Sequence, residues 1–201
     1  MDSVLGRDFQ TPLAKEASTG RLVAYLAGGM EFKENLGSSW REYVEEGLEK
    51  LNYNSFNPIN LEGHACENGE PLQDKVSKLK RRGRLPELRG LVRENFFRKD
   101  MEAIKKSDFV ILYYDDSVRK GAGSLAEAWE TFREGKPLYV MSDIPLKEIP
   151  SWLIGESTQI FFTFPKLFSY LDNRQEVLKD MKEAKVTTNL FLSDIYSKGE
   201  D

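Results

Sequence analysis

With 201 residues, 40% of them hydrophobic and 31% charged, the chain has the size and make-up of one globular domain with room for a buried core. A formal net charge of -4 gives no general attraction to nucleic acid, and no apolar run approaches the ~18 residues that a membrane-spanning helix needs. His64 and Cys66 make neither a zinc site nor a disulfide, the lone thiol fits a reducing, cytoplasmic setting, and MDSVLGRDFQ lacks the features of a secretory leader.

Residues 1–20 are polar and aperiodic and read as an arm ahead of a single domain over 21–201. Leu22 to Ala27 (LVAYLA) is a continuous apolar run followed by Gly28 and Gly29, the pattern of a buried strand ending in a tight turn. Ser39 and Glu42 have capping-box spacing for a helix to about Lys50, with Trp40, Val44, Leu48 and Leu51 on one face. A short strand over Tyr53 to Phe56 ends at Asn57-Pro58. Between about 60 and 90, repeated Gly and Pro surround a basic cluster, Lys75 to Arg84 (KVSKLKRRGR), and read as a polar insertion or long loop.

From Glu94 the helical period returns, with Phe97, Met101 and Ile104 in phase. Phe109 to Tyr114 (FVILYY) is the strongest buried-strand signal in the chain. The polar stretch DDSVRKGAG leads as a loop into a helix at Ser124, whose expected apolar face is Leu125, Ala128, Trp129 and Phe132. Lys136-Pro137 ends that helix, Leu138 to Met141 forms the next strand, and a last strand near Ile160 to Phe162 precedes a helical stretch from about Asn173. The alternation predicts an α/β fold: a doubly wound, mainly parallel sheet of about five strands, Rossmann- or flavodoxin-like, with helices on both faces. Ligands of such sheets bind beyond the carboxyl ends of the strands, where the Gly28-Gly29 turn and the 115–123 loop both belong.

The stretch GAGSLAEAWE, residues 121–130, carries two readings. Ser124 and Glu127 have the S-x-x-E spacing of a capping box, and a capping Glu is favoured at any helix N-terminus. Glu127 lies about 200° around the helix from Leu125, so the same residue could instead face a cleft as a carboxylate nucleophile. Gly121 and Gly123 allow a tight turn or the close approach of a ligand to the backbone. Asp100 sits either on a solvated helix face or in the same cleft.

Three segments together, YLAGG (25–29), RKDMEAIKKSDFVILYYD (98–115) and GAGSLAEAWETFREGKPLYV (121–140), resemble the nucleoside 2-deoxyribosyltransferase family and its nucleotide N-glycosidase relatives. The resemblance runs in order over about residues 22–142 through Tyr25, Asp100, Asp108, Gly123 to Glu127 and Gly135-Lys136-Pro137. It implies that Glu127 is the nucleophile attacking C1′ of a 2′-deoxyribosyl group, that Asp100 contacts and protonates the leaving base, and that Tyr25 positions Glu127. It further implies that Gly28, Gly29, Gly123 and Ser124 line the sugar or phosphate pocket, with no metal or redox cofactor. The implied partners are a nucleoside or nucleotide, a free base, and further copies of the chain. Candidate oligomer contacts are Trp152, the Phe161 to Phe168 region, and Leu190, Phe191, Leu192 and Ile195.

One departure from the family pattern bears on the substrate. Family members often carry an acid two positions before the turn glycine, facing the sugar 5′ hydroxyl; here that position is Gly121, after Arg119 and Lys120. Loss of an acid beside two cations suits a 5′-phosphate, which makes a deoxynucleotide an equal candidate and Arg119 and Lys120 candidate phosphate contacts. The insertion could also act as a lid carrying Arg81, Arg82 or Arg84. The rival reading from another class is a non-catalytic nucleotide-binding module on the same scaffold.

Overall fold

The structure, a computed structural model, describes residues 20–61 and 71–184. The N-terminal arm, His64, Cys66 and the apolar positions at 190–195 lie outside the described residues. Five parallel strands form one sheet in the order β2-β1-β3-β4-β5: β1 (Val23–Gly28), β2 (Asn54–Phe56), β3 (Phe109–Tyr114), β4 (Leu138–Ser142) and β5 (Gln159–Phe161). This is the doubly wound order whose switch point falls between β1 and β3.

Alternate residues of the strands feed two cores. Val23, Tyr25, Ala27, Val110 and Leu112 point to one face, and Leu22, Ala24, Leu26, Phe109 and Ile111 to the other. The second face is covered by α1 (Ser38–Lys50), through Trp40, Val44 and Leu48, and by the helix Phe164–Asp172 near the C-terminal end, through Leu167 and Leu171. Helix α1 runs over the expected span, but the Ser39 capping box does not form: Gly37, at φ 72°, occupies the cap position and no side chain caps the helix.

Within the segment expected to be an insertion or long loop, the described residues 71–90 are largely helical. It contains α2 (Leu72–Arg81) and α3 (Leu85–Val92). Two of the residues that suggested a loop are helix punctuation: Gly83 turns the chain at φ 63° after α2, and Pro86 stands in the first turn of α3. A π-helical stretch, Arg93–Phe97, joins α3 to α4 (Arg98–Lys106).

The 115–123 stretch also differs from the expected loop, since it holds the short helix α5 (Asp116–Lys120). The Asp115 carboxylate caps α5 by accepting from the backbone N–H of Ser117 and Val118, and it pairs with Lys33. Helix α6 (Gly123–Arg133) follows, with Ala122 at the cap position and no side-chain cap. Ser124 is therefore inside the helix and does not cap it. The buried side of α6 is Ser124, Glu127, Ala128 and Thr131, and Leu125 packs half-buried against the core; Ala128 and Leu125 meet the expectation, while Trp129 and Phe132 are exposed, the reverse of it. Thr131 satisfies its hydroxyl by donating to the Glu127 carbonyl at 2.7 Å.

The Gly-Lys-Pro motif is structural. Gly135 turns at φ 63°, and the Lys136 ammonium donates to the carbonyls of Ile104 and Lys105 at 2.7 and 2.6 Å, and to that of Ser107. It thereby serves the exposed C-terminal carbonyls of α4 and ties that helix to the start of β4. Asp108 performs a similar service one step on, since its carboxylate accepts from the Val23 N–H at 2.8 Å and aligns β1 with β3.

Candidate active site

Beyond the carboxyl ends of β1 and β3 lies a cavity of about 320 Å³, within the range of small-molecule sites. Its floor is the Gly28-Gly29 turn, Ser117 and the start of α6; its walls include Asp100, Glu127 and Ser124. Val76, Leu88, Val92, Phe97 and Met101, from α2, α3, the π turn and α4, form an apolar side. A wider groove of about 520 Å³ beside β5 has no carboxylate among its lining residues, so the acid chemistry belongs to the smaller cavity.

The turn depends on the absence of two Cβ atoms. A Cβ on Gly28 would stand 2.7 Å from the Trp40 indole, and one on Gly29 would stand 2.0 Å from the Ser117 hydroxyl oxygen. Both contacts are closer than real Cβ atoms make, so the glycines allow Trp40 and Ser117 to pack against the end of β1.

Tyr25, fully buried in β1, donates its hydroxyl hydrogen bond to Glu127 Oε1 at 2.7 Å. Glu127 and Asp100 are each only 8% exposed. Burial pushes the Glu127 carboxyl above its ordinary range, opposed by the Tyr25 hydroxyl, the Arg41 guanidinium and the Ser124 hydroxyl. Burial, and then the Glu127 charge, raise Asp100 to about 8, opposed by Tyr25, Arg41 and Lys99. Asp100 Oδ1 has no hydrogen-bond partner. Two neighbouring buried carboxyls resist ionising together, and the better-solvated one keeps the charge. The Glu127 carboxylate accepts from the Tyr25 hydroxyl, which helps it carry the charge, whereas Asp100 Oδ1 accepts nothing.

Arg41, which the sequence reading passed over, is a further element of the site. It is completely buried on α1, and its guanidinium donates to the carbonyls of Leu26, Gly28, Leu36 and Gly37 at 3.2, 2.8, 2.9 and 3.3 Å. These bonds fix the exit of β1 and place a cation behind the acid pair. The available signal was its spacing: Arg41, Val44 and Leu48 are i, i+3 and i+7 on one helical face. Gln73 and Lys80 of α2 were also missed as cavity residues. The Lys80 ammonium is paired with Glu31.

Of the residues expected at the site, Tyr25, Asp100, Glu127, Gly28, Gly29, Gly123 and Ser124 come together here. Arg119 and Lys120 do not line the cavity; Arg119 pairs with Asp116 at 3.2 Å and Glu148 at 3.6 Å. Arg81, Arg82 and Arg84 are likewise absent from the lining, and Arg84 pairs with Glu87. Among the described residues no group of three His, Cys, Asp or Glu could hold a metal ion, and no helix is long and apolar enough to cross a membrane.

No protein-family model matches the chain, and no curated protein does. Among solved structures it is similar to the 2-deoxyribosyltransferase of the bacterium Bacillus psychrosaccharolyticus, at TM-score 0.53 and 20% identity over 73% of this chain and 90% of that one. It is also similar to the 2-deoxyribosyltransferase of Leishmania mexicana, at TM-score 0.50 and 15% identity over 76% of this chain and 97% of that one. The chain has their fold. The bacterial protein is described as a biocatalyst for the synthesis of antiviral and antitumoral nucleosides.

Proposed function

We propose that this protein cleaves the N-glycosidic bond of 2′-deoxynucleosides or their 5′-monophosphates and passes the sugar to a second base or to water. The observation that carries the reading is the 2.7 Å Tyr25–Glu127 hydrogen bond, which holds Glu127 at the wall of a cavity that Asp100 also lines. An ionised, oriented carboxylate beside a protonated acid is the pair that two-step glycosyl transfer with a covalent intermediate requires.

In the first step the Glu127 carboxylate attacks C1′ and the C1′–N bond breaks. Its electron pair leaves with the base, which takes the proton from Asp100. Charge builds on the sugar as an oxocarbenium-like centre and is captured as a deoxyribosyl ester of Glu127. In the second step a base nitrogen or a water oxygen attacks C1′, the ester breaks, and Asp100 accepts the proton of the incoming group. Tyr25 and Ser124 hold the carboxylate in one orientation before and after the ester exists. The apolar side formed by Val76, Leu88, Val92, Phe97 and Met101 suits a planar base, and Gln73 offers it a carboxamide. A 5′-phosphate would find Lys80 rather than Arg119 or Lys120 as the lining cation, in competition with Glu31.

The test is chromatographic. The protein is incubated with 2′-deoxynucleosides and their 5′-monophosphates, with and without a second base, beside a Glu127→Gln control. Free base released by wild type alone, and a new nucleoside or nucleotide when a second base is added, is the expected result. No turnover by the folded wild-type protein would overturn the proposal.

A further inference from the structure

The sheet ends at β5, and the side of that strand turned away from β4 has no neighbouring strand among the described residues. The Thr158 N–H donates to the Leu138 carbonyl at 2.7 Å, so strand alternation turns the main-chain N–H and C=O of Gln159 and Phe161 outward. Beside this edge runs the groove of about 520 Å³, whose opposite bank is the Phe164–Asp172 helix and the turn after it. Lys166, Ser169, Tyr170, Asn173 and Arg174 line that bank, at the spacing of one helical face. We propose that the groove binds an acidic partner segment in extended conformation, which adds a strand to the sheet beside β5.

Charge identifies the occupant. No carboxylate lines the groove, and among the described residues neither the Lys166 ammonium nor the Arg174 guanidinium has a carboxylate partner. Elsewhere on this chain of net charge -4, Lys106, Arg119, Arg133 and Lys179 each hold one. The Arg174 guanidinium lies over the Tyr170 ring, 5.1 Å from its centroid, a contact with the ring face that leaves its N–H donors uncommitted. Two copies of the chain meeting edge to edge would set these cations against one another. The complementary occupant is therefore an acidic segment and not a second copy.

Spacing sets its sequence. Lys166 and Arg174 stand eight residues apart, roughly 12 Å at the helical rise of about 1.5 Å per residue. An extended chain covers that distance in about four residues, which places its two acids at i and i+4. Phe161 and the Phe164–Asp172 helix lie on the same side of the sheet, so side chains at i, i+2 and i+4 turn toward the helix. The residue at i+2 then meets Tyr170, between the two cations, while i+1 and i+3 fall on the side of Ile160. Recognition combines two charge-assisted contacts with main-chain bonds along β5. The groove shares no lining residue with the cavity of the acid pair, so the two can be occupied together.

The experiment is fluorescence anisotropy on the full chain with a labelled nonapeptide, Ser-Thr-Glu-Val-Thr-Val-Glu-Thr-Ser, whose glutamates stand at i and i+4. A second peptide of the same composition, Ser-Thr-Glu-Val-Thr-Glu-Val-Thr-Ser, sets them at i and i+3, on opposite faces of a strand but on one face of a helix. Wild type is expected to bind the first with a Kd of about 100 μM or tighter, and the second at least tenfold more weakly. Lys166→Glu and Arg174→Glu should each weaken binding at least tenfold with circular dichroism unchanged, since both side chains are exposed. Lys147→Glu, exposed and outside the groove, should not. The double variant Lys166→Glu/Arg174→Glu should instead bind the first peptide rewritten with lysine at both glutamates. No binding by wild type, equal affinity for the two spacings, or the same loss at Lys147→Glu would overturn the proposal. Displacement of the peptide by inorganic phosphate at fixed ionic strength would also overturn it, by assigning the cations to a small anion. Anisotropy is read without turnover, so the result is independent of the proposed reaction.

Discussion

The Tyr25 hydroxyl and the Glu127 carboxylate meet at 2.7 Å although 102 residues separate them along the chain. Tyr25 comes from the middle of β1 and Glu127 from the second turn of α6, so the contact forms only when the helix packs on the sheet. A hydrogen bond to a charged group contributes about 1.5–3 kcal/mol. Tyr25→Phe is expected to lower kcat by about 10- to 100-fold with a much smaller change in KM, because the bond orients the nucleophile without holding the substrate. Steady-state kinetics beside a matched circular dichroism spectrum checks this.

Asp100 makes the site sensitive to alkali. Its carboxyl titrates at about 8 in the folded protein against 3.8 ordinarily, so between those values the folded state holds a proton that the unfolded chain has released. That contribution to stability is complete below the ordinary value and is lost as pH rises through about 8. Asp100→Asn is therefore expected to lose less stability than wild type between about pH 5 and pH 9, measured as urea midpoints. If Asp100 is the acid of the reaction, wild-type kcat/KM also falls above about pH 8, and the variant lacks that limb.

Removing the Arg41 guanidinium takes a donor from the carbonyls of Leu26 and Gly28 in β1 and of Leu36 and Gly37 just ahead of α1. Arg41→Met is expected to cost about 3–5 kcal/mol of stability, the range for breaking a buried charged arrangement. Arg41→Lys should recover little of it, since a single ammonium cannot reproduce the planar fork. Chemical denaturation of the three proteins gives the comparison.

Gly29 and Gly123 both line the cavity and should respond in opposite ways to alanine. The new methyl at Gly29 would meet Ser117 Cβ at 2.9 Å and its backbone carbon at 3.2 Å, so the turn itself must move. Overpacking of this kind costs about 1–3 kcal/mol. At Gly123 nothing stands within 4 Å of an added Cβ, and the residue begins a helix. Gly29→Ala is expected to lower the thermal midpoint by several degrees, and Gly123→Ala to leave it unchanged or raise it.

The sheet was legible because buried parallel strands are continuous apolar runs; the predicted FVILYY strand has the observed limits, Phe109–Tyr114. The orientation of α6 was not. A hydrophobic-face reading turns Trp129 and Phe132 inward, yet Ser124, Glu127 and Thr131 face the core because each has a hydrogen bond there. Satisfied buried polar groups leave no apolar period to detect. Tyr25, Asp100 and Glu127 were found through the ordered resemblance, whereas the Arg41 guanidinium donates to backbone carbonyls, which no side-chain motif records. The α2–α3 segment was misjudged because the glycine and proline that delimit two short helices have the composition of a loop.

The π turn at Arg93–Phe97 gives chain length an unusual influence over the chemistry. Such a turn accommodates one residue more than the α-helical turn it replaces, and in an α-helix each residue advances the direction of a side chain by about 100°. Excising one residue there would let α3 and α4 run on as an uninterrupted helix. With α4 fastened at its far end by Lys136, the mismatch would fall on the apolar wall carried by α3. A single-codon deletion could thus re-aim Leu88 and Val92 against Asp100 while every side chain of the acid pair kept its identity.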